Sequence, residues 1–294
     1  MASFQRRHVI DDDGIAGAQT FEAVNVPVQT RIDQLRMSLE RMRWIESELS
    51  NDFVAVNIPE FRVFLVRDRN IVWSGRAQVG KPYRETPIFR GDIQYLEINP
   101  TWTVPPGIFR NDILPKLKQD PSYVVNKNIS VIDRDGRKVD PFSVDWSQYS
   151  RGVPYTLRQE PGPNNALGRI KFIFPNEHFV FLHDTPSRGL FDRSARAFSS
   201  GCIRVENPLE LAELLLRDPD KWSQADLQAV LDSRQTQRVN LRPREPVLIL
   251  YLTASLDLDG GIRFAKDVYG RDAELLAALN GPVRLDPPAA AAAN

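Results

Sequence analysis

The chain of 294 residues holds one cysteine, Cys202, within the string Phe198-Ser199-Ser200-Gly201-Cys202-Ile203-Arg204-Val205. Upstream, His183 closes the apolar run Phe179-Val180-Phe181-Leu182. A thiol is a strong nucleophile only as the thiolate, and a neighbouring imidazole is the usual means of making one near neutral pH. The pair suits acyl transfer, with His183 taking the thiol proton and returning it to the leaving amine. The competing reading is plain: a lone cysteine is often a small buried hydrophobe, and a histidine at a strand end often caps a carbonyl. Local context favours chemistry. Gly201 lets a substrate carbonyl approach the backbone N–H groups around Ser200, Gly201 and Cys202, as an oxyanion hole requires. Beyond the thiol the chain reads as a helix start, with Asn207 as N-cap, Pro208 at the first helical position and Glu210 completing a capping box. Cys202 is therefore expected on a tight loop or short strand, too far from that helix for its dipole to matter.

Together, His183 and the Ser-Ser-Gly-Cys-hydrophobic-Arg-hydrophobic string resemble the active-site signature of L,D-transpeptidases of the YkuD fold. Leu182-His183-Asp184-Thr185-Pro186, Asn99-Pro100-Thr101-Trp102-Thr103-Val104-Pro105, Val56-Asn57-Ile58-Pro59 and Asp267-Val268-Tyr269-Gly270-Arg271-Asp272 are similar to segments of its large YcbB-type branch. The resemblance implies a mainly β, α+β fold with a sandwich or barrel-like core, an inserted capping subdomain and no cofactor. It implies Cys202 as nucleophile and His183 as base, the ring oriented by the Asp184 backbone carbonyl or by the Asp184 side chain. Trp102 is expected in the wall of the substrate groove or in the core. Arg204 either binds a stem carboxylate or braces the loop, and Ser199 is expected against substrate. Phe181 stands where a tyrosine is expected. The implied substrate is a peptidoglycan tetrapeptide stem, cleaved between diaminopimelate and its terminal D-Ala and passed to a second diaminopimelate as a 3→3 crosslink. Water, a D-amino acid or an anchored lipoprotein are alternative acceptors, and carbapenem β-lactams are implied inhibitors. Two other readings stand beside this one: a cysteine peptidase or carboxypeptidase using the same pair, and a non-catalytic wall-binding protein.

Several kinds of element must position these residues. Hydrophobic content of 42% supports one large domain or two, and 38 basic against 38 acidic residues argue against a general nucleic-acid binder. No run is long and apolar enough to suggest a transmembrane segment. Residues 1–27 resemble the last part of a peptidoglycan-binding domain, which implies an export signal upstream and a periplasmic location. An amphipathic helix over 28–50 is expected from Ile32, Leu35, Leu39, Met42, Ile45 and Leu49. The catalytic domain is expected over 51–255. Its strands are read from period-two alternation at 54–58, 61–65 and 71–73, with further strands at 95–98, 130–132, 169–174 and 178–182 and a buried strand at 246–252. The proline-rich stretch 107–165 is read as the insertion. Helices follow from Pro208 and from Ser223, the latter with Asp226 as capping partner. Residues 256–294 are read as an extension with a helix at 272–279 and a disordered tail over Pro287–Asn294. Three histidines and one cysteine show no metal-ligand spacing, so no metal is expected.

Overall fold

The structure, a computed structural model, describes residues 1–282 except 151, 219 and 258, so the tail expected over Pro287–Asn294 lies outside the described residues. The chain divides into two compact units, one of Glu48–Tyr251 and one of Met1–Ser47 with Leu252–Asn294.

In the larger unit the strands are β1 (Phe53–Asn57), β2 (Arg62–Arg67), β3 (Asn70–Gly80), β4 (Phe89–Ile98), β5 (Trp102–Thr103), β6 (Ile129–Ile132) and β7 (Lys138–Val139). They are followed by β8 (Thr156–Gln159), β9 (Ile170–Ile173), β10 (Leu182–His183), β11 (Ala197–Ser199), β12 (Ile203–Val205) and β13 (Gln237–Leu250). Nine of them form a sheet in the order β11-β3-β12-β10-β9-β4-β13-β1-β2. Because β2 also pairs with β3, the sheet closes into a ring, with β11 attached to β3 outside it. The fold is mainly β with helices around a barrel-like core. In β2 alternation is visible, with Val63 and Leu65 buried and Phe64 between them half-buried, whereas β1 and β13 are covered on both faces, Ala55 and Leu248 being buried along with Val54, Val56, Val247 and Ile249. The β2–β3 reversal falls on Asp68 and Arg69, both at positive φ (47° and 64°), as a two-residue hairpin requires.

Three strands run longer than the alternation predicts: β3, β4 and β13. Their extra residues carry polar side chains or lie where both faces are covered, which erases the period-two signal. One is shorter. The strand expected over 178–182 survives only as Leu182–His183, because Asn176 folds the preceding residues into a turn. Its side chain accepts from the N–H groups of His178 and Val180 and donates to the carbonyls of Phe174 and Val180. Phe179 sits there at φ 53°.

Adjacent strands put two rows of residues on opposite faces. Leu96, Phe172, Leu182 and Ile203 are in register and all buried in the barrel. One position along, Glu97, Lys171, His183, Arg204 and Gln78 are in register. A period of two forces this second row to the other side of the sheet.

The inserted segment forms its own sheet, in the order β5-β8-β6-β7, with short helices and a core that includes Phe109, Leu117, Val131, Trp146 and Leu157. It begins earlier than residue 107, because Trp102 and Thr103 pair with Gln159 and Arg158. The helix after β12 spans Pro208–Leu216, but its expected capping box is not formed. Asn207 lies in the left-handed region (φ 50°, ψ 50°) with no side-chain cap bond. The chain turns sharply there, directly off a residue, Glu206, whose N–H still bonds to Arg76. The next helix, Gln224–Asp232, has both arms of its box, between Ser223 and Asp226.

The smaller unit contains helices Ala2–Arg7, Ala18–Val24, Val28–Ile45 and Asp272–Asn280, with a hairpin of β14 (Ala254–Leu256) and β15 (Ile262–Phe264). The helix predicted through residue 50 ends at Ile45 and tightens into a 3₁₀ turn, Glu46–Glu48. Ser38 accepts from the Ala254 N–H (2.9 Å), Gln34 donates to Ala265 (2.9 Å) and Arg41 pairs with Asp272 (2.6 Å). These bonds join residues from 252 onward to the N-terminal helices, so the division falls before the hairpin rather than at 255. No described helix is long and apolar enough to cross a membrane.

Candidate active site

A cavity of about 340 Å³ opens in the larger unit, with His183, Cys202, Arg204, Trp102 and Arg84 among its lining residues. Strand register explains the grouping. His183 lies directly opposite Arg204 on the parallel pair β10 and β12. Cys202 is two residues before Arg204, and the Ile203 N–H bond to the Phe181 carbonyl (2.9 Å) carries the pairing back to that level. Thiol, imidazole and guanidinium thus share one face.

His183 is buried, and its Nδ1 lies 2.5 Å from the Asp184 carbonyl oxygen. A carbonyl only accepts, so the ring carries its hydrogen on Nδ1 and keeps the lone pair on Nε2. Burial, with Arg204 and then Lys171 adding repulsion, pushes its pKa down to about 3, so the imidazole is neutral at pH 7. The Asp184 carboxylate is engaged elsewhere, accepting from the Arg169 N–H and from Arg188, each at 2.9 Å. Of the two orienting groups expected, the carbonyl is the one that meets the ring. Gly168, at φ +65°, makes room for this aspartate: a Cβ there would lie 2.5 Å from the Asp184 Cβ. Burial pushes the Cys202 thiol up, while a backbone hydrogen bond from Phe181 and the charges of Lys171 and Arg204 act the other way. Its Sγ is 3.8 Å from the Phe179 carbonyl.

The loop before the thiol is braced from within. Gly201 takes φ +115° and donates its N–H to Ser199 Oγ at 3.1 Å. Ser199 in turn donates to the Cys202 carbonyl at 2.5 Å. The Ser199 hydroxyl, expected against substrate, therefore holds the loop, and the Gly201 N–H, expected to face an oxyanion, points at Ser199. Thr86 Oγ1 donates to the Gly201 carbonyl at 2.8 Å.

Residues 51–248 match the family described as YkuD, the L,D-transpeptidase catalytic domain. The chain belongs to this family. A putative L,D-transpeptidase of Haemophilus influenzae is 38% identical to it over 248 residues, which is 84% of this chain and 50% of the relative. The chain thus spans half the length of that curated relative. Among solved structures, an L,D-transpeptidase from Mycobacterium smegmatis is similar at 12% identity, covering 68% of this chain and 58% of that one, with a TM-score of 0.31. The catalytic domain of an E. faecium L,D-transpeptidase acylated by ertapenem is similar at 12% identity, covering 69% and 98%, also with a TM-score of 0.31.

In this L,D-transpeptidase domain the remaining expected residues fall in different places. Trp102 is half-buried in the cavity wall. Ser200 is exposed and accepts from Arg84 at 3.0 Å, while Arg84 also grips Asp112 of the inserted segment at 2.6 and 3.0 Å. Arg204 donates to Gln78 Oε1 at 3.0 Å, and its Nε is buried without a partner among the described residues. Phe181 does not line the cavity; it packs edge-on against Phe174 with the Lys171 ammonium 4.1 Å over its ring. His178 is exposed at the cavity beside Phe89. Sequence reasoning missed Arg84, Thr86, Gln78 and Lys171, which are distant along the chain. Only for Lys171 was a signal present: a charge at an alternate position in the apolar string Arg169-Ile170-Lys171-Phe172-Ile173-Phe174.

Proposed function

We propose that this chain is a cysteine-dependent L,D-transpeptidase in which Cys202 carries the acyl group and His183 moves the proton. The observation that carries the reading is the placement of a neutral imidazole, its Nδ1 hydrogen committed to Asp184, on the same face and in the same cavity as the chain's one thiol. The Nε2 lone pair is then the base. It takes the Sγ proton as sulfur attacks the donor carbonyl, and the tetrahedral adduct collapses with C–N cleavage. The departing D-Ala amine receives that proton, leaving a thioester on Cys202. An incoming amine gives its proton to Nε2, attacks the thioester carbonyl and releases the thiol.

The donor proposed is a peptidoglycan tetrapeptide stem and the acceptor the side-chain amine of a second diaminopimelate, giving a 3→3 crosslink. The unpartnered Arg204 Nε suits a stem carboxylate, because a buried guanidinium donor favours a charged acceptor. Trp102 supplies an apolar wall for the stem. An anchored lipoprotein is a further acceptor, and carbapenems are the inhibitors expected to acylate the same sulfur. Such a substrate places the work in the periplasm, and the scheme uses no cofactor.

The test is intact-protein mass spectrometry after incubation with a carbapenem, comparing wild type with Cys202→Ala and His183→Ala. A one-to-one adduct on wild type, absent from Cys202→Ala and slow to form in His183→Ala, supports the reading. Tetrapeptide muropeptides then separate crosslinking from hydrolysis by their products. Folded wild type that takes no adduct and turns over no stem would overturn it.

A further inference from the structure

We propose that Lys171 is a positioning residue for the thiol, a fixed positive charge in the wall behind Cys202 that works with Arg204 to favour the thiolate. The proposal rests on Cys202 being the nucleophile. Its basis is geometric. Lys171 pairs in register with His183 across β9 and β10, and His183 pairs with Arg204 across β10 and β12. The imidazole therefore sits between two cations on one face, and Cys202 lies one pleat along from Arg204 on that face. The lysine side chain is held in place: Nζ lies 4.1 Å over the Phe181 ring, whose own backbone is bonded to the thiol. A cation is attracted to the face of an aromatic ring, which fixes where the charge sits.

The charged and titratable groups around it fit this role. Glu97 on β4 is the neighbour of Lys171 on its far side, and Arg238 on β13 follows Glu97 in register. On the near side are His183, Arg204 and Cys202. Burial lowers the Lys171 pKa while Glu97 and Cys202 oppose the fall, so the carboxylate helps keep the ammonium charged and the sulfur gains from it. Burial first, and then the same two cations, hold His183 neutral. A site with a thiol raised by burial and a base that resists protonation needs positive charge placed near sulfur, and the row one pleat along supplies two such charges.

The test is the pH dependence of alkylation by iodoacetamide, which reads one sulfur because Cys202 is the only cysteine. Lys171→Met keeps the length and packing of the side chain and removes the charge; Lys171→Gln removes the charge with a polar group; Lys171→Arg keeps the charge. Folding of each is checked by its thermal transition. The midpoint should rise by about one pH unit in the Met and Gln variants, a roughly tenfold loss of alkylation rate below it, and stay near wild type in the Arg variant. An unchanged midpoint in either neutral variant that is folded overturns the proposal, as does a rise of the same size in Lys171→Arg. Because the readout uses no donor, an unchanged midpoint beside a normal carbapenem adduct rejects the lysine alone. A missing wild-type adduct rejects the transpeptidase reading and leaves the thiol titration standing.

Discussion

Gly168→Ala should damage stability and chemistry together, although residue 168 does not line the cavity. The added Cβ would lie 2.5 Å from both Cβ and Cγ of Asp184 and 2.6 Å from its Oδ2, on a residue that is itself buried. Two costs add. A side chain in the left-handed region costs about 1–2 kcal/mol, and overpacking a site that cannot give way costs about 1–3 kcal/mol. The expected loss is therefore about 2–5 kcal/mol. Asp184 cannot simply yield, because its carboxylate is tied to the Arg169 N–H and Arg188, and its carbonyl holds His183 Nδ1. A shift of order 1 Å in a catalytic group costs on the order of a hundredfold in rate, so carbapenem acylation of Cys202 should slow by about 10- to 100-fold in protein that is still folded. The measurement is a urea titration of wild type, Gly168→Ala and Gly162→Ala, with acylation followed by mass in each. Gly162 is the control, since a Cβ there meets nothing within 4 Å and its φ is not positive. A Gly168→Ala protein within about 0.5 kcal/mol of the control, or one with an unchanged acylation rate, would refute the reasoning.

The buried histidine sets an acid limit on stability. An unfolded histidine titrates near 6.5 and His183 in the fold near 3, so below pH 6.5 the unfolded chain binds a proton that the folded chain refuses. Its contribution is complete above 6.5 and is lost as pH falls toward about 3. The urea midpoint should drop between pH 7.5 and pH 4.5, and His183→Gln should flatten that slope; parallel slopes would count against it. On the barrel wall, Glu245 is buried between Arg67, at 2.6 and 3.1 Å, and Arg217, at 3.0 Å. Glu245→Ala leaves Arg67 and Arg217 with Asp52 as their remaining carboxylate, 4.0 and 3.1 Å away, and should cost about 1–3 kcal/mol, read as a lower urea midpoint, with Cys202 still acylated by carbapenem in the folded fraction.

The thiol, its histidine and the alternating strands around them were legible in the chain because each rests on local chemistry. Residue type decides what Cys202 and His183 can do, and a period of two decides which face a strand residue takes. The Ser223–Asp226 capping box was legible for the same reason, being complete within four consecutive residues. Capping at Asn207 was not, since the sharp turn off β12 overrides the local preference. Which group orients His183 is a choice between two atoms sets of one residue, Asp184, and only the packing of Gly168, Arg169 and Arg188 around its carboxylate decides it. Ser199 likewise has one hydroxyl, and the fold commits it to the loop. The row from Glu97 through Lys171 and His183 to Arg204 and Gln78 joins strands separated by tens of residues. Register across those strands is set by closure of the barrel, a property of all its strands at once, and that is why the charge placed around the thiol emerged only from the tertiary structure.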